Sequence, residues 1–298
     1  MQVANYGSEE AFNRQFGTNF DISSNTLISR QVLNKKQKQV IQFVNKELPG
    51  VTNSDAYFWD PLYEPTEMLK KDKFTITIDL ATGMGADYTT YIFNKLEKNE
   101  KDEVINRCIG YYQDNWSSID KNIVSLIELC DKYCNMNNYL ISYESNLYGE
   151  LFKRLLFKYI DENIPSNFDE SVLVKYYNER MTDFNYGVKM TTATKNKCCK
   201  FFKMDYEADK IFNDSTAFMN ELSLFCDNKG NDTYQASFGH DDIVMAQLQL
   251  ILVQETLQYK ELISNINVDL GENNSVHNFY EIEQPFTLNI NRLYGYNW

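Results

Sequence analysis

The segment FTITIDLATGMGADYTTYIF, Phe74 to Phe93, constrains the fold more than any other. Apolar and β-branched residues alternate from Phe74 to Ala81, break at two glycines and resume from Thr89, which predicts two strands joined by a turn. An acid, Asp79, stands near the end of the first strand, and Asp87 follows across the glycine turn. A carboxylate that leaves a sheet amid Ile76, Ile78, Leu80 and Ala81 is costly unless it meets a cation, hydrogen-bond donors or a proton. Gly83 and Gly85 permit a tight turn there and a close approach of backbone or ligand. The alternative role for Asp79, an exposed cap of its own turn, is the more ordinary one for an isolated Asp.

The alternation recurs at Thr89 to Leu96 and at Val104 to Tyr112, so three strands in an antiparallel meander are expected. Helical spacing follows at Ile119 to Asn135, a short strand at Tyr139 to Glu144, and a helix at Leu147 to Ile160. Further on, Ala217 to Cys226 reads as a strand and His240 to Tyr259 as a long apolar helix. Three antiparallel strands and then alternating strands and helices predict an α/β fold over residues 74–260, an RNase H-like mixed sheet flanked by helices. Residues 1–50 read as helical, with Ser8 as a cap and apolar positions at Leu27, Ile28, Val32, Leu33, Val40, Ile41 and Val44, ending at Pro49 and Gly50. Residues 51–73, with Pro61 and Pro65, read as a linker, and residues 261–298 as a C-terminal extension.

Composition narrows the chemistry. A chain of 298 residues buries roughly 75% of its unfolded surface, so a large core is available. The net charge of −13 argues against coating nucleic acid through bulk charge, and any anionic substrate has to be held locally. One stretch departs from that background: GVKMTTATKNKCCKFFK, Gly187 to Lys203, has five lysines and no acid. It is a candidate phosphate-contacting loop and helix start, with a solvated charged face as the alternative. The six cysteines form no CxxC pair and the chain has only two histidines, so zinc is disfavoured and reduced thiols are expected. No apolar run approaches the ~18 residues of a membrane span, and no signal-peptide pattern opens the chain, so a soluble intracellular protein is expected.

Two further acids stand at element ends. NYLISYE runs into Glu144 just before a helix, and GHDDIVMA places His240, Asp241 and Asp242 at the start of another. Each alone is explained by capping and the helix dipole. Together with Asp79 they place acids on three elements, and converging carboxylates are ordinarily reconciled by divalent cations. Oxygen donors without His or Cys clusters favour Mg²⁺ or Mn²⁺ over zinc.

IDLATGMGADY (Ile78 to Tyr88), YESNLYGELF (Tyr143 to Phe152), YGVKMTTATK (Tyr186 to Lys195), ELSLF (Glu221 to Phe225) and FGHDDIVMA (Phe238 to Ala246) occur in this order. In order and spacing they resemble the nuclease domain of the large terminase subunit of tailed bacteriophages, from about residue 74 to 258. The resemblance implies an endonuclease that cuts double-stranded DNA by two-metal-ion hydrolysis, with Mg²⁺ or Mn²⁺ held by Asp79, Glu144 and Asp242 or its neighbour Asp241. It implies supporting roles for Asp87, His240, Gly83 and Gly85, and DNA contacts for Lys195, Lys197, Lys189 and Lys200. Implied partners are the portal protein, the small terminase subunit and an ATPase domain, acting in the host cytoplasm with no membrane. GSEEAFNRQFGTNFD, Gly7 to Asp21, is similar to the end of the family's ATPase domain, yet no GxxxxGK[ST] loop is present, so residues 1–50 are expected to be a remnant of that region. An actin- or sugar-kinase-like ATPase and a non-enzymatic docking module of the packaging motor are the alternatives; the first needs a second glycine-rich phosphate loop, and the chain has twelve glycines and no second such turn.

Overall fold

A computed structural model describes residues 26–85, 87–177, 183–227, 233–264 and 266. The helix expected from Ser8 and nearly all of the C-terminal extension lie outside the described residues. The chain enters through α1 (Arg30–Gln37), β1 (Val44–Asn45), β2 (Tyr57–Trp59) and α2 (Pro65–Lys71), then forms the meander β3 (Phe74–Asp79), β4 (Thr89–Lys98) and β5 (Val104–Asp114). Next come α3 (Ile119–Tyr133), β6 (Tyr139–Tyr143), α4 (Leu147–Asn163) and the hairpin of β7 (Lys175–Tyr177) with β8 (Phe184–Tyr186). The remainder is α5 (Thr192–Glu207), β9 (Ile211–Phe212), α6 (Thr216–Leu224), the hairpin of β10 (Phe225–Asp227) with β11 (Tyr234–Ala236), α7 (Asp242–Gln254) and α8 (Leu257–Ser264).

The main sheet runs in the order β1-β2-β5-β4-β3-β6, with β9 added to β5. Strands β3, β4 and β5 are antiparallel, whereas β6 pairs with β3 in parallel. A meander whose first strand also takes a parallel fourth strand is the RNase H-like order that the alternation predicts. Along β3 the side chains divide by parity. Phe74, Ile76 and Ile78 enter a core with α3 and α4, where Ile123, Leu126, Phe152 and Leu156 meet them. Thr75, Thr77 and Asp79 therefore face the other side, which α5, α6 and α7 cover with a second core. Ile76 and Ile78 are fully buried, and each contributes roughly 1.5–3 kcal/mol. A one-residue slip would exchange them for Asp79, so the apolar face fixes the side on which the acid emerges. Two buried glutamines lock α7 onto that side: Gln249 Nε2 donates to the Ile78 carbonyl at 2.7 Å, and Gln247 Nε2 to Asn94 Oδ1 at 2.9 Å.

The structure departs from the sequence reading in four places. The expected helix before Pro49 stops at Gln37, and the chain then extends so that Val44 pairs with Trp59. Residues 51–73 hold β2, which joins the main sheet beside β5, and α2; Tyr57 and Trp59 are wholly buried, so this segment belongs to the core. Ala217 to Leu224 is helical, because Ser215 caps it by accepting the Phe218 N–H and Phe218, Met219 and Leu222 fall on one buried face. The long helix expected from His240 begins at Asp242 and gives way to α8 after Gln254. All six cysteines are buried and none is in a disulfide. Among the described residues no helix is long and apolar enough to cross a membrane.

Candidate active site

Parallel pairing of β3 with β6 places their carboxyl ends at one edge of the sheet, a position where α/β sheets bind ligands. Ile78 pairs with Tyr143, so the residues that follow them, Asp79 and Glu144, leave the sheet side by side. Beyond Glu144 the chain turns into α4, capped by Asn146, whose side chain accepts the Tyr148 and Gly149 N–H groups at 3.0 Å. Glu144 is also bridged to Val188, and the Ser145 N–H donates to the Val188 carbonyl at 2.8 Å. This brings the lysine-rich segment to the same edge.

Asp242 arrives from the opposite direction, as the first residue of α7. Its Oδ2 accepts the Tyr88 N–H at 3.2 Å and lies 3.4 Å from His240 Nδ1, while the His240 and Tyr88 rings meet edge to face at 4.9 Å. Asp241 Oδ2 is turned to the Ala236 N–H at 3.1 Å. Asp87 lies near enough to Asp242 to raise its carboxyl.

These acids act on one another through their charges. Burial, and then the charges of Asp242, Glu144 and Asp241, hold the Asp79 carboxyl well above the usual carboxylate range; the Leu80 N–H opposes them. Burial likewise raises Glu144, against hydrogen bonding from Asn146 and the charge of Lys195. Asp242 is pushed up to about 6, chiefly by burial. Among the described residues no three His, Cys, Asp or Glu side chains stand close enough to hold a metal ion in this arrangement. The donor chemistry nevertheless suits a hard cation: the acids offer only carboxylate oxygens, and three of them press on a half-buried fourth.

The remaining sequence candidates fall in different places. Gly83 and Gly85 adopt φ of +72° and +82°, and their loop docks on the turn after β5, where the Gly85 N–H donates to the Asn115 carbonyl at 2.8 Å. They therefore anchor the loop to residues 115–117. Lys195 acts on Glu144 and its Nζ lies 5.3 Å from the Phe225 ring centre. Lys197 is bound to Glu255 at 2.6 Å, Lys200 is exposed on the outer side of α5, and Lys189 is exposed on the loop before it.

Two residues without a predicted role join the site. Glu221 of α6 accepts the Ile243 and Val244 N–H groups through Oε2 at 2.8 and 3.1 Å, pinning the start of α7. Its signal was one acid within the apolar ELSLF. Thr90 pairs with Asp79 across β3 and β4, is fully buried, and its hydroxyl makes no hydrogen bond.

The strand order, with β6 parallel to the first strand of the meander, defines an α/β protein with an RNase H-like sheet. No protein-family model matches the chain, and no curated protein does. Among solved structures it is similar to the large terminase nuclease of thermophilic phage G20c, with 13% identity, a TM-score of 0.46, and 76% of this chain and 96% of that one covered. It is also similar to the yeast mitochondrial Holliday junction resolvase, at 16% identity and a TM-score of 0.33 over 67% of this chain and 86% of that one. A third is the human cytomegalovirus terminase nuclease domain, soaked with Mn and bound to an inhibitor, at 10% identity and a TM-score of 0.30 over 82% of this chain and 96% of that one. These are likenesses of fold at low identity.

Proposed function

We propose that the chain is a metal-dependent endonuclease of a viral DNA-packaging terminase, hydrolysing phosphodiesters of double-stranded DNA with little sequence preference. The observation that carries this reading is the parallel register that sets Asp79 beside Glu144 at the sheet edge, with Asp242 brought to them by α7. Mg²⁺ or Mn²⁺ held by Asp79, Glu144 and Asp242 would supply the charge that stabilises both the attacking and the leaving oxygen.

The chain's own residues prepare that centre. His240 and the Tyr88 N–H orient Asp242 through the same oxygen, and Glu221 fixes the helix on which it rides. Asp242 is taken as the ligand because its charge acts on Asp79 more strongly than that of Asp241, whose Oδ2 is turned to the β11 backbone. Lys195, near Glu144, is placed to meet a substrate phosphate. Asp87 has a supporting role through Asp242. The nuclease unit starts before residue 74, because β1 and β2 are strands of its sheet. A portal protein, a small terminase subunit and an ATPase domain are the partners this role requires, in the host cytoplasm.

The test is plasmid cleavage together with thermal melting in Mn²⁺. Wild type cleaves and melts higher with Mn²⁺, whereas Asp79→Asn and Asp242→Asn melt cooperatively without cleaving and gain less from the ion. Cleavage by both variants would sink the assignment.

A further inference from the structure

The lysines of α5 divide between two sides of the helix. At 100° per residue, Lys195 shares the side of the buried Cys199, Phe202 and Tyr206, which turns it toward the acid-bearing edge. Lys200, 140° round the helix from Lys195, projects on the other side, and Lys203, at 80°, lies on the flank between them. With Lys197, Met204, Glu207 and Tyr234 they line a groove of about 480 Å³ between α5 and β11.

The charge of this groove is opposite to that of the molecule. Lys197 is neutralised by Glu255 at 2.6 Å, but Lys200 and Lys203 make no ion pair among the described residues. Glu207 is the acid in the lining, in a chain whose net charge is −13. Between the cations stands apolar and aromatic surface: Met204 is 55% exposed, and the Tyr234 ring is held by stacking on Phe225 at 6.2 Å. Cations for phosphates beside an apolar and aromatic wall for sugars and bases suit a nucleic-acid strand.

We propose that this groove is a second DNA-contact surface, apart from the acids, that grips the backbone of a strand a few nucleotides from the bond being cut. The identity of the ligand rests on the nuclease reading; the groove itself does not. From Lys195 in the first turn of α5 to Lys203 is about 12 Å along the helix axis, the axial length of about three to four phosphates of one strand. The helix thus spans from the acid-bearing edge to the groove. A protein with this net charge needs such a local grip, because its overall field repels DNA.

The test is fluorescence anisotropy of a labelled 20–30-base-pair duplex (about two to three helical turns) with the full chain in Ca²⁺, over a series of salt concentrations. For K200E/K203E, weaker binding is expected, about tenfold or more at low salt, with the slope of log affinity against log salt shallower by about 1.8. If the charge-reversed protein does not melt cooperatively, K200Q/K203Q is measured and the same change in slope is expected. An unchanged slope, or no duplex binding by wild type, overturns the proposal. Plasmid cleavage by wild type in Mn²⁺ is followed in parallel. Absent cleavage with a shallower slope in the variant overturns the nuclease reading and leaves the groove as a DNA surface; cleavage with an unchanged slope does the reverse.

Discussion

Thr90 stands directly across the β-ladder from Asp79, on the same face of the sheet, with its hydroxyl fully buried and unbonded. Side chains so paired lie about 5 Å apart at Cβ. An unsatisfied buried hydroxyl costs about 1–3 kcal/mol, and at this position it points to the needs of the site rather than of the fold. Thr90→Val keeps the shape and removes the polar atom. Its melting temperature is expected to rise by a few degrees while the plasmid cleavage rate falls at least about tenfold, equivalent to ~1.4 kcal/mol. Wild-type cleavage by the more stable variant would reduce Thr90 to a packing residue.

Patterns contained in one short segment were legible, and long-range ones were not. The alternation in β3, β4 and β5 marks the meander because each strand has one face in a dense core. Asp79 and Glu144 were readable as acids at strand ends, and Asp242 as an acid opening an apolar helix. The opposition of Asp79 and Thr90 depends on the register across a glycine-containing loop, which no local pattern encodes. Glu221 was opaque for a related reason: it acts on backbone N–H groups more than twenty residues away, at Ile243 and Val244. β2 was hidden among prolines, and its three residues YFW form a strand because β5 offers an edge. α6 was misread because its phenylalanine and leucines suit a strand as well as a helix, and the Ser215 cap decides between them.

Glu221 also gives the fold a pH dependence. Burial first, and then the Asp242 and Asp241 charges, push its carboxyl to about 8, although the Val244 and Ile243 N–H groups oppose the shift. A carboxyl raised on folding binds its proton more tightly in the native state, so its contribution is complete below the unfolded value of 4.5 and is lost as pH rises through about 8. Asp242, pushed to about 6, acts in the same sense over a lower range. Glu221→Gln keeps an acceptor oxygen for the two N–H groups and removes the titration. Its melting temperature relative to wild type is expected to climb by several degrees between about pH 5 and about pH 8.5. A difference that stays constant over that range would show that Glu221 does not carry a raised pKa.

Gly83 and Gly239 separate crowding from backbone strain. Both have positive φ, +72° and +78°, but a Cβ on Gly83 would run into the Ser117 carbonyl, whereas one on Gly239 would meet nothing within 4 Å. Gly239→Ala is expected to carry the strain alone, about 1 kcal/mol. Gly83→Ala adds a backbone clash and should lose at least about 1 kcal/mol more, measured by urea denaturation. Equal losses would mean that the loop yields freely at Ser117.

Lys195 and Lys197 are two residues apart and are expected to differ sharply in function. Lys195 lies near Glu144 and counters its burial, so a phosphate entering among the acids would find its charge available. Lys197 is occupied by Glu255 at 2.6 Å, with both side chains less than half exposed. Releasing that ammonium for DNA would break the pair and leave a carboxylate facing the strand. Lys195→Ala should therefore slow plasmid cleavage by about tenfold or more, a loss of ~1.4 kcal/mol, with little change in melting temperature. Lys197→Ala should stay within about twofold in cleavage and lose at most about 1 kcal/mol of stability, the range of a partly exposed ion pair. Initial rates at several DNA concentrations decide the matter: a Lys197→Ala defect as large as that of Lys195→Ala would mean that the Glu255 pair opens to admit DNA.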